Sequence, residues 1–119
     1  MQTEIKELLH YLAVGSNYKG YRLTVTACML ILQDETLLYN VTGALYPAVA
    51  EICGCTAGNI ERNIRTVIIL AWRHQRPRFE EIAGYSMSTP PTVSQFLDIM
   101  VIHLQRIARE KHLLSEYIL

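Results

Sequence analysis

Four side chains able to read or grip a nucleic acid fall within one seven-residue window: Asn59, Glu61, Arg62 and Arg65, inside the stretch AEICGCTAGNIERNIR at residues 50–65. An arginine can fork onto guanine O6 and N7, or onto a phosphate. Asparagine can pair with adenine or hydrogen-bond a phosphate. Glutamate can accept from a cytosine amino group, or can orient Arg62 or Arg65. Arg62 and Arg65 are three residues apart, so on a helix they share a face. Gly58 removes bulk near the start of that face, and Thr66 extends it.

Such a face needs an element to carry it and a second one to hold it up. Thr56 is a helix-capping residue, and the helix it opens is predicted to run over about 57–74. Ile60, Ile64, Val67, Ile68 and Ala71 form its apolar stripe, with Trp72 near its end. Before it, Ala50 supplies a small side chain for a close helix crossing. Gly54 supplies a residue tolerant of positive φ for the turn. Val49, Cys53, Cys55 and Ile60 would seal the underside. The spacing predicts a helix-turn-helix whose second helix enters a major groove. The pattern is also that of many helical hairpins that bind no DNA.

The rest of the chain is helical by periodicity. Thr3 is expected to cap a first helix with Ile5, Leu8, Leu9 and Leu12 on one face and Gly15 as its stop. GSNYKG reads as a turn. Tyr21, Val25, Cys28, Met29 and Leu32 trace a second helix, which QDET ends. TVTACMLIL has strand propensity but no partner strand, so it is read as helical. A third helical region covers about Thr36 to Cys53, with Pro47 kinking or restarting it. QRPR is expected to end the helix opened by Thr56. Phe79 to Ala83 reads as a short helix closed by Gly84. Thr92 and Gln95 give the capping-box pattern before a last helix carrying Phe96, Leu97, Met100, Val101, Leu104 and Ile107. The expected fold class is all-α, a compact bundle of about six helices in one domain spanning 1–119.

The formal net charge is zero, but it is unevenly spread. Residues 57–78 hold five arginines (Arg62, Arg65, Arg73, Arg76 and Arg78) against one glutamate, a net +4. The remainder holds six basic and ten acidic side chains, a net −4. A basic element on an acidic body suits phosphate binding at one face, and is equally what a solvated arginine-rich helix end looks like. Half of the residues are apolar, enough for a core, and no run is long enough to span a membrane. The N-terminus lacks the pattern of a signal peptide, which points to the cytoplasm. The three cysteines, Cys28, Cys53 and Cys55, make a poor disulfide framework. The C-x-C pair could join a metal site, but no second pair stands at zinc-like spacing, and buried thiols explain it more simply. His10, His74, His103 and His112 lie on separate helices, with no phosphate loop or nucleophile elbow. No catalytic residue, metal or cofactor is expected.

The chain resembles the C-terminal effector domain of the master sporulation-initiation response regulator of endospore-forming Firmicutes. The likeness rests on YKGYRL, on LLYNVTGALYPAVAEICGCTAGNIERNIRTVIILAW, on GYS near residue 85 and on PTVSQFLDIMVIHL, covering roughly residues 5 to 108. The resemblance implies a six-helix bundle with an embedded helix-turn-helix. It also implies sequence-specific binding to short promoter elements of double-stranded DNA by tandem copies, and contact with the sigma subunit of RNA polymerase. The family's base-contacting arginine, glutamate and arginine fall on Asn59, Glu61 and Arg62, with Arg65 close by. Glu61 and Arg62 match the family's residue types. Asn59 stands where the family usually has arginine, and Gly58 replaces its serine.

After Trp72 the segment RHQRPRFEEIAGYS is shorter and more basic than its family counterpart. Arg76 and Arg78 are read either as phosphate contacts or as parts of a solvated turn. The tail RIAREKHLLSEYIL places Leu113, Leu114, Tyr117 and Ile118 either in a dimer contact or over the subunit's own core. No receiver domain is expected in this sequence, since Asp34 and Asp98 lack an acidic pair beside a strand. Loss of the arginine at Asn59 leaves a second function in play: a receiverless interaction module that binds sigma factor or a full-length regulator without reading DNA. The DNA reading requires the guanidinium groups of Arg62 and Arg65 to face outward, free of carboxylates of their own molecule.

Overall fold

A computed structural model describes the backbone of residues 1–118 and the side chains of residues 1–112. Among the described residues there are five α-helices and no strand: α1 Gln2–Tyr11, α2 Lys19–Gln33, α3 Tyr46–Cys53, α4 Ala57–Ala83 and α5 Val93–Ile118. A 3-10 turn, Glu35–Tyr39, and a π-helical turn, Val41–Leu45, join α2 to α3. TVTACMLIL lies wholly within α2. Tertiary burial overrides its strand propensity, because α2 packs against all four other α-helices. It therefore buries more than the single stripe expected. Leu23, Thr24, Ala27 and Ile31 go inside along with Tyr21, Val25 and Cys28.

Several boundaries differ from the sequence expectation. Met1, not Thr3, is the N-cap of α1, and Thr3 sits within the helix. The chain leaves α1 through Ala13 at φ 62°, three residues past His10, whose carbonyl accepts the Ala13 N–H. Gly15 takes no positive φ and stops nothing. The helix opened by Thr56 does not end at QRPR but continues to Ala83, which is why five α-helices replace the expected six. It bends at Gln75 (φ −141°, ψ 44°). That bend places Pro77 in the first turn of the continuing segment, where a missing N–H breaks no bond. Gly84 closes it at φ 84°. The region from Thr36 to Cys53 is three elements rather than one. The Asp34 carboxylate accepts from the Thr36 N–H and the Asn40 side-chain oxygen (Oδ1) from the Gly43 N–H, so each short turn has its own side-chain cap. Pro47 restarts the chain as α3. Thr92 and Gln95 form the expected reciprocal cap of α5, at 2.9 and 3.2 Å. The side chains of Leu113, Leu114, Tyr117 and Ile118 lie outside the described residues.

The core is continuous from Ile5 and Leu9 of α1, through Cys28 and Ile31 of α2 and Ile60, Ile64 and Ile68 of α4, to Phe96, Leu97 and Met100 of α5. Phe79 meets Phe96 edge to face at 5.7 Å, anchoring the end of α4 to α5. Burial pushes the Cys28 thiol up to about 12, so it behaves as a small hydrophobe. No described helix is long and apolar enough to cross a membrane.

Where α2 crosses α4 the two backbones come close. A Cβ at Gly20 would stand 2.2 Å from the backbone oxygen of Asn63 and 2.6 Å from Val67 Cγ2. One of those neighbours is helix backbone, which cannot step aside as a flexible side chain could. Gly20→Ala should therefore lower unfolding stability by about 1–3 kcal/mol in denaturant titration, as overpacking does. An unchanged midpoint would show that the two helices can part at no cost.

Candidate nucleic-acid interface

The site begins with a turn. The N–H of Gly54 closes α3 on the Ala50 carbonyl at 2.8 Å, and Gly54 adopts φ 66°, ψ 42°. A side chain at that φ would be strained, so glycine answers a backbone need here. Cys55 follows, half-buried, and Thr56 is extended at φ −89°, ψ 158°. Its hydroxyl oxygen accepts from the Asn59 N–H at 3.2 Å. The cap thus directs α4 away from α3 after only three connecting residues, Gly54 to Thr56. Val49 and Ile60 are fully buried beneath the pair, with Ala50, Cys53 and Cys55 packed at its margin.

The first turns of α4 divide sharply by face. Ile60, Ile64 and Val67 are wholly buried, whereas Gly58, Asn59, Arg62, Arg65 and Thr66 are exposed. A Cβ at Gly58 would meet nothing within 4 Å. No contact within the protein asks for glycine at this position, where alanine would be the better helix former by about 1 kcal/mol. Arg62 donates to the Asn59 side-chain oxygen at 2.9 Å, and its other donors find no partner among the described residues. Thr66 Oγ1 donates to the Arg62 carbonyl at 3.1 Å, so its hydroxyl proton serves its own helix.

Glu61 is the exception on this face. It is half-buried, accepts from the Tyr46 hydroxyl of α3 and from the Arg65 guanidinium, and so ties α3 to α4. The expectation that both guanidiniums stand clear of carboxylates holds for Arg62 and fails for Arg65. Glu61 and Arg65 are four apart on one helix, which brings them together whatever else the face does. The Arg65 side chain nevertheless remains 58% exposed, and exposed pairs of this kind contribute only about 0.3–0.5 kcal/mol. Burial first, and the bond to Glu61 second, hold the Tyr46 phenol well above its usual range.

The arginines beyond the kink do other work. Arg76 lies over the Trp72 ring at 4.3 Å, donates to the Met87 carbonyl and approaches Glu80 at 3.8 Å. Arg78 lies over Tyr11 at 4.5 Å and donates to the Tyr11 carbonyl at 3.1 Å. Both are exposed, but they stand on a helix rather than in the turn expected of QRPR. Both staple the end of α4 to neighbouring segments. Among the described residues no group of three His, Cys, Asp or Glu side chains is placed to hold a metal.

The family described as "Sporulation initiation factor Spo0A C terminal" matches residues 5–104, from Ile5 in the core face of α1 to the buried Leu104 of α5. The chain belongs to this family. Spo0A C-terminal domains are the DNA-binding effector domains of the sporulation response regulator, and the family is a regulatory one rather than a family of enzymes. Within this Spo0A-type domain the sequence pattern missed Tyr46, which holds Glu61 from another helix, and Asn63, whose side-chain amide donates to the Asn59 carbonyl at 2.7 Å. Only the i, i+4 spacing of Asn59 and Asn63 was visible beforehand.

Tyr46→Phe keeps the ring and removes the hydroxyl, leaving Glu61 a charged acceptor short of one donor. The expected loss is about 1.5–3 kcal/mol of stability at neutral pH, read from chemical denaturation. Because the folded phenol titrates above the unfolded one, this contribution is complete below about pH 10 and fades as pH rises further. A variant as stable as the parent at pH 7 would show that the α3–α4 tie carries no energy.

Proposed function

We propose that α3, the Gly54 turn and α4 form a helix-turn-helix that reads double-stranded DNA sequence-specifically, with the first turns of α4 in the major groove. The observation that carries this reading is the division of α4. Its apolar stripe is sealed against the core while Gly58, Asn59, Arg62, Arg65 and Thr66 share one outward surface. Family membership supports the same reading.

Each residue takes the role its surroundings allow. Arg62, with free donors and Asn59 steadying it, is the guanine-reading fork. Asn59 positions that fork and presents its amide to a base or a phosphate. Glu61, held from α3, fixes the height of the face and can accept from a cytosine amino group at its edge. Arg65 exchanges a weak partner for a phosphate. Thr56 and Gly58 let the duplex approach the start of the helix, and Thr66 contributes shape rather than a proton. The resemblance further supports copies bound side by side on DNA and a contact with the sigma subunit. Tyr39 and Ile102 are 84% and 53% exposed and line one groove with Leu38, Val101 and the carboxylates Glu35 and Asp98, a mixed surface suited to such a protein contact. A purely protein-binding module would use that groove and leave α4 unoccupied.

Binding-site selection followed by mobility shift tests the reading. Arg62→Ala should weaken the selected site by about 1–3 kcal/mol and relax choice at one base pair. Equal loss on every sequence would reassign Arg62 to phosphate. Gly58→Ala should raise thermal stability by up to about 1 kcal/mol while weakening DNA binding. Unaltered binding by that variant would mean the duplex does not approach the start of α4.

A further inference from the structure

A groove of about 370 Å³ runs between the start of α2 and the start of α4. Tyr18, Lys19 and Arg22 form one wall, and Asn59 and Asn63 the other. No carboxylate lines it. Lys19 and Arg22 are both exposed, and neither makes a hydrogen bond or ion pair among the described residues. This sets them apart from Arg62, Arg65, Arg76 and Arg78, each of which has an acceptor within the protein.

We propose that Lys19 and Arg22 grip the sugar-phosphate backbone of the duplex whose groove α4 enters. The inference rests on the DNA reading above and adds a binding site outside the helix-turn-helix. Two observations place it there. Asn59 belongs to both surfaces: it lines the groove and stands on the outward face of α4, so the two are continuous. Gly20 lies between Lys19 and Arg22 in sequence, and its contact with the Asn63 backbone oxygen fixes this end of α2 against α4. The two cations are thus held beside the reading face by a rigid backbone contact. A helix seated in a major groove is flanked by phosphate strands, and cations beside such a helix set register without reading bases. The sequence hid this pair, because the charge count along the chain placed the basic excess at 57–78 and left Lys19 and Arg22 within an acidic remainder.

The test is the Lys19→Gln, Arg22→Gln double variant, titrated across salt on the duplex selected by the parent chain and on a scrambled duplex. Loss of two phosphate contacts should reduce the slope of log K against log salt by about 1.8. Affinity at low salt should fall by a similar factor on both duplexes, with the preference between them kept and the melting temperature unchanged. An unchanged slope on a duplex that the parent binds would overturn this inference and leave the helix-turn-helix reading standing. A loss confined to the selected duplex would overturn the phosphate assignment by making the pair base readers. Failure of the parent to bind any duplex would overturn both readings.

Discussion

The backbone contact between α2 and α4 at Gly20 sets where the rest of the molecule can sit. With no side chain on Gly20, α2 reaches the Asn63 carbonyl and the Val67 methyl group directly. Helices that approach this closely have little freedom to slide or roll, because their packed ridges would collide. The inner stripe of α4 is then committed to the core formed with α2 and α5, and its outer side is committed to solvent. Orientation of the polar face follows from packing on the opposite face. Folding α2 against α4 and presenting Arg62 are consequences of one arrangement.

A second constraint acts at the turn. Gly54 and the Thr56 cap aim α4, while Tyr46 reaches across from α3 to hold Glu61. The arginines of the chain separate by environment rather than by position in sequence. Arg76 and Arg78 lie on aromatic rings and bond to carbonyls, so their charge supports the fold. Arg65 shares a carboxylate weakly, and Arg62 is steadied by a neutral amide with its charge intact. Of these four arginines, Arg62 is the best prepared for a new partner. The gradation also explains how a chain of zero net charge can present a basic surface.

Much of this was legible in the sequence where local rules act alone. The Thr56 cap, the Thr92–Gln95 box, the Gly54 turn and the apolar stripe of α4 depend on spacings of a few residues, and spacing is what a sequence displays. The misses came where distant segments decide. Gly15 looked like the stop for α1, yet Ala13 takes the left-handed conformation. QRPR looked like an end, yet a single distorted residue, Gln75, lets Pro77 fall into a fresh first turn and the helix resumes. Tyr46 and Glu61 are fifteen residues apart, and Tyr11 and Arg78 sixty-seven, so neither contact has a local signature. Family resemblance pointed to the all-helical class, with six helices where five α-helices are described, and it could not reveal that Glu61 is anchored from α3.

The proposed meeting of DNA with the outward side of α4's first turns is open to amide chemical-shift mapping of the labelled protein against its selected duplex. The largest changes are expected over Thr56 to Thr66 and at the start of α2, with α1 and the middle of α5 quiet. Changes centred on the groove of Tyr39 and Ile102, with Thr56 to Thr66 unmoved, would contradict the proposal.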